Sequence, residues 1–202
     1  MERALSDREL ARCHGMGSAA SQLEFLAART LARVLLARAT GNTVRDVVID
    51  ESSGKPALEA PGHLRFNLSH CSTHVLVGLA HHEVGVDVET IRPFNQALAR
   101  RACDRQELEE LARLPGEALP GAFCRLWTAK EACVKVSGAG VSFGLRKVHA
   151  TLEGAGRWAD LSWWSLDVGR AARAAVAVRW TAAGEGLAGQ VSADELLEHV
   201  TP

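Results

Sequence analysis

The spacing of apolar residues predicts two helices in the first forty positions. Ser6, with Glu9 three residues later, has the form of a capping box, which predicts a helix that begins near Asp7. Across 19–39, apolar side chains return every three or four residues, as they do on one face of a helix. The Gly-Asn pair at 41–42 is a typical helix end, so the second helix is expected to stop there.

The pattern then changes to short apolar and β-branched runs, which are typical of strands. The runs that predict strands lie at 44–49, 66–69, 75–80, 85–89, 148–152, 161–166 and 174–180. Longer periodic segments predict helices at 96–114 and 122–136, and Ser192 with Glu195 predicts a short helix near the end. Glycine and proline mark a loop at 52–56. This mixture predicts an α+β fold.

Composition narrows the class of protein. The 202 residues suit one domain or two small halves. The 23 basic and 24 acidic residues nearly cancel, whereas a nucleic-acid-binding domain is usually strongly basic, so no nucleic-acid partner is expected. The charged N-terminus does not resemble a signal peptide, and no apolar run approaches the roughly 20 residues of a membrane span. The five cysteines contain no CxxC pair, which favours free thiols and a cytoplasmic location.

Three clusters carry candidate chemistry, and the first is the run Gly-Val-Asp-Val-Glu at 85–89. Asp87 and Glu89 are two residues apart on a predicted strand, so their carboxylates point to one side. Two carboxylates this close repel each other unless a cation or a proton lies between them. Mg²⁺ commonly binds one or two carboxylates together with phosphate oxygens. A solvated polar strand face is the alternative interpretation, and this run alone favours it.

The second cluster lies on the predicted helix at 122–136. Trp127, Glu131 and Lys135 follow each other in steps of four and share one side of that helix. Glu131 and Lys135 would form an ordinary surface ion pair in the simplest interpretation. In the functional interpretation, Glu131 is a third metal ligand and Lys135 faces a phosphate.

The third cluster is Phe-Asn-Leu-Ser-His at 66–70, with Gly-Lys-Pro at 54–56 upstream. The side chains of Ser69 and His70 can donate to phosphate oxygens, and Lys55 adds positive charge. A turn that satisfies its own polar side chains is an equally good interpretation of these residues.

Together, the order GKP, FNLSH, GVDVE and WTAKEACVK resembles the 4′-phosphopantetheinyl transferases of the surfactin-synthetase-activating type. The likeness runs from about Arg29 to Gly140. It implies two similar α+β halves related by a pseudo-twofold axis, here 1–84 and 85–202, with the active site in the cleft between them. It also implies a monomer.

The resemblance implies a reaction and a set of roles. The 4′-phosphopantetheine arm of coenzyme A would move to a serine of an apo acyl or peptidyl carrier protein, with release of 3′,5′-ADP. The implied Mg²⁺ ligands are Asp87, Glu89 and Glu131. Lys135 would contact the phosphate and assist the leaving group, and the other implied coenzyme A contacts are Arg29, Lys55, Ser69 and His70.

The general base is left open between Glu131, Glu107 and a bound water, because Glu107 matches a family glutamate discussed as a base. Two other functions are also open, a noncatalytic carrier-binding module and a Mg²⁺-dependent phosphohydrolase. The resemblance also implies a basic or apolar surface that docks the carrier protein, and the arginines nearest the motifs in sequence are Arg100, Arg101, Arg105, Arg113 and Arg125. A solvated helix face is the alternative interpretation of these arginines, and the sequence slightly favours it. Fatty-acid, polyketide and nonribosomal-peptide carriers all fit.

Overall fold

The computed structural model describes residues 1–51, 55–59, 64–138 and 144–179. These residues form two compact units, one of 1–51 with 55–59 and one of 64–138 with 144–179. The α+β prediction is confirmed, because helices occur together with antiparallel sheets. The two symmetric halves divided at 84/85 stay a prediction. None of the described helices is long and apolar enough to cross a membrane.

The first unit is built on two helices that begin and end as the sequence predicts. α1 spans Asp7–His14, and α2 spans Ala19–Thr40. Both bonds of the capping box are present, since the Glu9 amide donates to Ser6 Oγ at 3.3 Å and the Ser6 amide donates to Glu9 Oε2 at 2.8 Å. Gly41 ends α2 with φ at 71°, a left-handed conformation that glycine adopts without steric cost.

The strand predicted at 44–49 is wrong over most of its length. A turn occupies 44–46, in which the Asp46 amide donates to the Thr43 carbonyl at 3.1 Å and Thr43 Oγ1 donates to Asp46 Oδ2 at 2.6 Å. These local bonds give the backbone an alternative to a strand ladder. Only β1, Ile49–Asp50, forms, and it pairs with β2, Ala57–Leu58, which was not predicted.

The second unit contains a hairpin and a four-stranded sheet. The hairpin strands are β3, Arg65–Cys71, and β4, His74–Ala80. The sheet has the antiparallel order β5-β8-β7-β6, with bounds Val84–Thr90, Ala172–Arg179, Leu161–Leu166 and Ala155–Trp158. The strands predicted at 66–69, 75–80, 85–89 and 161–166 are confirmed, as is the last one as far as Arg179. β6 was not predicted.

A long helix packs against β5, β8 and β7 and provides the core of this unit. α5 spans Leu119–Ser137, which confirms the helix predicted at 122–136. Leu126 on α5, Trp163 on β7 and Ala177 on β8 are each at most 1% exposed. Gly138 ends α5 in a left-handed conformation with φ at 69°.

The helix predicted at 96–114 is two helices. α3 spans Gln96–Ala102 and α4 spans Arg105–Ala112. Asp104 caps α4, because its carboxylate accepts the Glu107 amide while Glu107 accepts the Asp104 amide. This second capping box starts a new helix where the apolar period alone suggested continuity.

The strand predicted at 148–152 is also wrong. This segment follows a 3₁₀ turn, Leu145–Lys147, and two of its neighbouring backbone groups bond to buried side chains. The Leu145 carbonyl accepts from Lys130 Nζ at 3.4 Å, and the Ala150 amide donates to Glu107 Oε1 at 2.8 Å. The helix predicted from Ser192 lies outside the described residues.

Candidate functional site

β5 presents two carboxylates to α5 because a glycine lets the helix come close. A Cβ placed on Gly85 would lie 2.0 Å from the Ala132 carbonyl oxygen of α5, which no side chain could tolerate. Asp87 and Glu89 follow Gly85 at intervals of two and so face the same side of the strand. The near approach of the two backbones therefore brings both acids to the α5 face that carries Glu131 and Lys135.

Asp87 is the centre of a hydrogen-bonded group that joins three elements. Its side chain is 5% exposed, so the carboxylate is buried and the alternative of a solvated strand face is wrong for this residue. Lys135 Nζ lies 2.7 Å from Asp87 Oδ1 and 3.0 Å from Ser69 Oγ, and Ser69 Oγ donates to the same Asp87 oxygen at 3.0 Å. Lys135 thus pairs with an acid on β5, in addition to its place one turn beyond Glu131.

The second oxygen of Asp87 has no partner within the described part of the chain. Asp87 Oδ2 is buried and accepts no hydrogen bond. A buried carboxylate oxygen without a donor is costly, so this atom suits a ligand or a cation. Asp87 is therefore suited to hold a metal ion on one oxygen while Lys135 and Ser69 occupy the other.

The pKa values of Glu89 and Glu131 show that the three acids share one electrostatic environment. Burial raises the pKa of Glu89, and the Asp87 charge raises it further. Burial likewise raises the pKa of Glu131, with further increases from Asp87 and Glu89 that Lys135 opposes. Two carboxylates whose ionisation is disfavoured by burial and by the charge of Asp87 are suited to a divalent cation in their neighbourhood.

Side chains of β3 hold the hairpin against β5. Asn67 Oδ1 accepts the Val86 amide at 2.9 Å, and Ser69 Oγ accepts the Val88 amide at 3.3 Å. On the same side, a Cβ at Gly78 of β4 would lie 2.7 Å from Val86 Cγ1, so the hairpin packs closely on β5. Ser69 therefore positions the strand and contacts the acidic group with the same oxygen.

Glu107 lies in a separate buried ion pair. Glu107 and Lys130 are both 0% exposed, and Lys130 Nζ lies 2.5 Å from Glu107 Oε2. Lys130 also donates to the carbonyls of Ala102 at 3.0 Å and Leu145 at 3.4 Å. Glu107 accepts two backbone amides in addition, from Asp104 and Ala150. No role was expected for Lys130, although it is one of only four lysines in the chain.

Among the described residues, one group of His, Asp and Glu side chains has its ligand atoms close enough for a metal site, and it is not the group formed by Asp87, Glu89 and Glu131. Within the described ranges, the ligand atoms of Asp104, Glu107 and His149 all lie within 4.8 Å of one another. His149 Nδ1 lies 2.8 Å from Asp104 Oδ2, and bonds from the Glu107 amide and His149 lower the pKa of Asp104 although burial opposes this. Lys130 already supplies a cation to Glu107, so the contacts that the structure shows in this group are those of a helix cap and an ion pair.

Arg29 lies in the first unit, inside a cluster of charged side chains. Its side chain is 4% exposed and forms an ion pair with Glu51. Arg29 Nη1 lies 3.7 Å from Glu9 Oε1, and the Arg33 Nε donates to Glu9 Oε2 at 2.8 Å. Burial lowers the pKa of Arg29, while the Glu9 charge raises it. Arg29 therefore has acidic partners within its own unit.

The described structure thus groups the expected site residues in three places. Asp87, Lys135 and Ser69 bond to one another between β3, β5 and α5, and the pKa values of Glu89 and Glu131 respond to the Asp87 charge. His70 is exposed next to Ser69 on β3, and Glu107 lies in the buried pair with Lys130. Arg29 and the half-buried Lys55 belong to the other unit.

The part of the chain that carries the acidic cluster matches a known family. Residues 83–177 match the model of the 4′-phosphopantetheinyl transferase superfamily. This range contains all three carboxylates of the cluster and Lys135.

Similar proteins agree with this match. The chain is 36% identical over 102 residues to 4′-phosphopantetheinyl transferase psf-1 of Bacillus pumilus, a match that covers 50% of the chain and 44% of the relative. It is 36% identical over 145 residues to 4′-phosphopantetheinyl transferase HetI of a Nostoc species, covering 68% of the chain and 61% of the relative. It is 39% identical over 126 residues to 4′-phosphopantetheinyl transferase AcpT of Salmonella typhimurium, a match that covers 61% of the chain and 64% of the relative. The chain therefore spans about half to two thirds of the length of these relatives.

Proposed function

Because the chain belongs to the 4′-phosphopantetheinyl transferase superfamily, we propose that it transfers the 4′-phosphopantetheine group of coenzyme A to a serine of an apo carrier protein. The serine oxygen bonds to the phosphorus that carries pantetheine, the bond from that phosphorus to the bridging oxygen breaks, and 3′,5′-ADP leaves. The observation that carries the proposal is the buried Asp87, which has Lys135 and Ser69 on one oxygen and no partner among the described residues on the other.

We include Mg²⁺ in this proposal, with Asp87, Glu89 and Glu131 as the residues that would hold it. The unpartnered Asp87 Oδ2 and the raised pKa values of Glu89 and Glu131 fit a divalent cation with oxygen ligands. When bound, the metal supplies charge stabilisation to the phosphate oxygens.

Lys135 is the residue proposed to stabilise the leaving group. Its side chain is 29% exposed, so its ammonium group is reachable although it is held by Asp87 and Ser69. Negative charge grows on the bridging oxygen as 3′,5′-ADP departs, and a pre-positioned ammonium group lowers the energy of that state. The neighbouring Ser69 and His70 are proposed as coenzyme A contacts.

For the general base, the geometry favours Glu131 over Glu107. Glu107 is fully buried and bonds to Lys130 and two backbone amides, so its oxygens are engaged within the fold. Glu131 is half-buried and its carboxylate makes no hydrogen bond among the described residues, and because a carboxylate bound to Mg²⁺ is a weak base, a water beside it can carry the proton. We therefore propose that Glu131, directly or through water, accepts the serine proton and that Glu107 supports the fold.

Two proposed coenzyme A contacts lie in the first unit. Lys55 is half-buried there and retains its proposed role. Arg29 pairs with Glu51 and lies near Glu9, so its proposed contact with the nucleotide requires that it leave or share these acids. A monomer that acts in the cytoplasm on fatty-acid, polyketide or peptide carriers completes the proposal.

The test is mass spectrometry of apo carrier proteins incubated with this protein, coenzyme A and Mg²⁺. We expect a carrier of at least one type to gain one phosphopantetheine group, with formation of 3′,5′-ADP. Lys135→Met should reduce the rate by about 100-fold or more, and chelation of Mg²⁺ should abolish it. Glu153→Gln, at an exposed position, is the matched control and should retain activity.

Two results would contradict the proposal and identify another function. Formation of 3′,5′-ADP from coenzyme A without any carrier protein would indicate a phosphohydrolase. Binding of apo carriers without modification of any type would indicate a noncatalytic module.

A further inference from the structure

A cavity of about 530 Å³ lies between the beginning of α5 and the segment that enters β8. Its polar lining is mostly cationic, with three arginines, Arg125, Arg170 and Arg173, and one carboxylate, Glu117. Apolar side chains such as Ile91 complete the wall. Three guanidinium groups against one carboxylate leave the cavity with an excess of positive charge.

The three arginines have no acidic partner among the described residues. In the part of the chain that the structure describes, no carboxylate oxygen lies within 4.0 Å of the guanidinium of Arg125, Arg170 or Arg173. Six other arginines do form such pairs, namely Arg12, Arg29, Arg33, Arg65, Arg105 and Arg179. The positive charge of the cavity is therefore not neutralised by the described residues.

Uncharged backbone carbonyls hold two of the three arginines in place. Arg173 Nη1 donates to the carbonyls of Ala172 at 2.7 Å and Gly169 at 3.3 Å, while its Nε is buried and has no hydrogen-bond partner in the described parts of the chain. Arg125 Nη1 donates to the Leu152 carbonyl at 3.4 Å. Guanidinium groups fixed in this way retain their full charge and lose little freedom on binding a carboxylate.

The cavity adjoins the acidic cluster through β5 and β8. Arg173 on β8 is the register partner of Glu89 on β5, and such partners have Cα atoms about 4.5–5.5 Å apart. Ile91 follows Glu89 by two residues, and Cys124 Sγ on α5 lies 3.7 Å from the Glu89 carbonyl oxygen. A protein that brings a serine to the acidic cluster therefore has to cover the neighbouring surface as well.

We propose that this cavity binds an acidic side chain of the carrier protein that receives the phosphopantetheine group, an inference that rests on the proposed function. The unneutralised arginines match a carboxylate, and the apolar wall suits the contacts that surround a charge at a protein interface. Arg170, which is exposed, is the residue most open to the partner. Arg125 and Arg173 form the fixed floor.

The experiment measures the dissociation constant of an apo carrier protein by fluorescence polarisation, which does not depend on turnover. Arg170→Glu should weaken binding at least fivefold, because it reverses an exposed charge that has no partner in the described residues. Glu117→Lys should strengthen binding, because it replaces the one carboxylate of the cavity by a cation. The affinity for coenzyme A should change less than twofold in both variants.

Two controls test whether the effect is specific to the cavity. Arg146→Glu, an exposed arginine outside the cavity lining, should change carrier binding less than twofold. Arg100→Glu with Arg101→Glu tests the exposed face of α3 that the sequence suggested as a docking surface. Circular dichroism and thermal unfolding of each variant establish that it is folded.

The outcomes separate this proposal from the proposed function. Carrier binding within twofold of wild type in Arg170→Glu, an equal loss in Arg146→Glu, or a loss confined to the α3 variant would overturn the cavity assignment. If Arg170→Glu weakens the binding of coenzyme A and leaves carrier binding unchanged, the cavity binds the nucleotide. If the wild type binds no carrier protein, the docking proposal is refuted. Carrier binding that depends on Arg170 without any transfer would refute the transferase and leave the docking site standing.

Discussion

Glu131 bears a charge that its surroundings disfavour, because burial and the charges of Asp87 and Glu89 all raise its pKa. The pKa of Glu131 is therefore higher in the folded protein than in the unfolded chain, where it is 4.5. The protonated side chain contributes its full stabilisation below pH 4.5, and this contribution is lost as the pH rises through the folded-state pKa. At neutral pH without metal, the ionised Glu131 therefore destabilises the fold.

Glu131→Gln is expected to separate stability from activity. At pH 7 in chelator, its thermal midpoint should equal or exceed that of the wild type, and the difference should shrink below pH 4.5. Transfer should fall by about 100-fold or more, as for loss of a general base. Thermal unfolding across pH, with Glu153→Gln as the control, measures the first effect. A midpoint several degrees below wild type would mean that Glu131 stabilises the fold.

The cysteines should differ sharply in reactivity. Burial raises the pKa of Cys124 to about 11 and those of Cys103 and Cys133 to about 12. Cys13 is 1% exposed, whereas Cys71 is half-buried at the end of β3. Because thiolate is the reactive form, a chromogenic disulfide reagent at pH 8 should titrate one thiol in the native protein and five after denaturation. Rapid reaction of a second native thiol would contradict this assignment.

At the scale of elements, the spacing between β5 and α5 depends on Gly85. Gly85→Ala would place a Cβ 2.0 Å from a backbone oxygen, so the helix or the strand must move. Overpacking of this kind typically costs about 1–3 kcal/mol, and the shift should also displace Glu131 and Lys135. Chemical denaturation and transfer assays should both register the change. Gly116→Ala has open space around its Cβ and should leave both nearly unchanged.

The Lys130–Glu107 pair fixes α5 to α4 and to the segment that follows the 3₁₀ turn. Lys130→Met leaves a buried carboxylate without its cation, which costs about 3–5 kcal/mol, and Glu107→Gln should also destabilise. The double variant should lose less than the sum of the two single variants, because each single change strands a charge. Denaturant unfolding of the four proteins measures the coupling.

The same variants decide between the two roles considered for Glu107. A positioning role predicts that Glu107→Gln lowers the unfolding free energy while the folded fraction keeps kcat within about tenfold. A role as general base predicts an unchanged unfolding free energy and a loss of kcat of about 100-fold or more.

For the whole molecule, magnesium binding should increase the free energy of unfolding. A ligand that binds only the folded state adds about 2.7 kcal/mol at a concentration 100 times its dissociation constant. Titration with Mg²⁺ should therefore raise the thermal midpoint of the wild type steadily, and should raise that of Asp87→Asn much less. An equal rise in both proteins would place the metal outside the acidic cluster.

Part of the cluster could be predicted from residue spacing within single elements. The two-residue period of a strand places Asp87 and Glu89 on one side, and the helical period places Glu131 and Lys135 on one side. Their convergence could not be predicted, since it depends on the backbone contact that Gly85 permits between segments almost fifty residues apart. The spacing suggested Glu131 as the partner of Lys135 in an ordinary surface ion pair. The structure shows instead that Lys135 pairs with the buried Asp87. The resemblance to a family supplied what the periods could not.

The errors in the fold have one physical cause. At 44–49 and 148–152, β-branched residues predict strands, but other hydrogen bonds hold the backbone in a different conformation. Thr43 and Asp46 close a turn in one case, and Glu107 binds the Ala150 amide in the other. The capping pair of Asp104 and Glu107 starts a new helix within a segment that the apolar period predicted as one helix. Polar side chains with specific partners therefore limit prediction from hydrophobic pattern.

The join between β3 and β5 has a consequence for how this protein can change over time. A strand ladder forms with almost any side chains, whereas the bonds to the Val86 and Val88 amides need an amide at 67 and a hydroxyl at 69. Two substitutions could thus release the hairpin while each strand kept its own pairing. The contact between β3 and β5 depends on these two side chains. Substitutions at both positions would therefore disrupt the site before they altered the secondary structure.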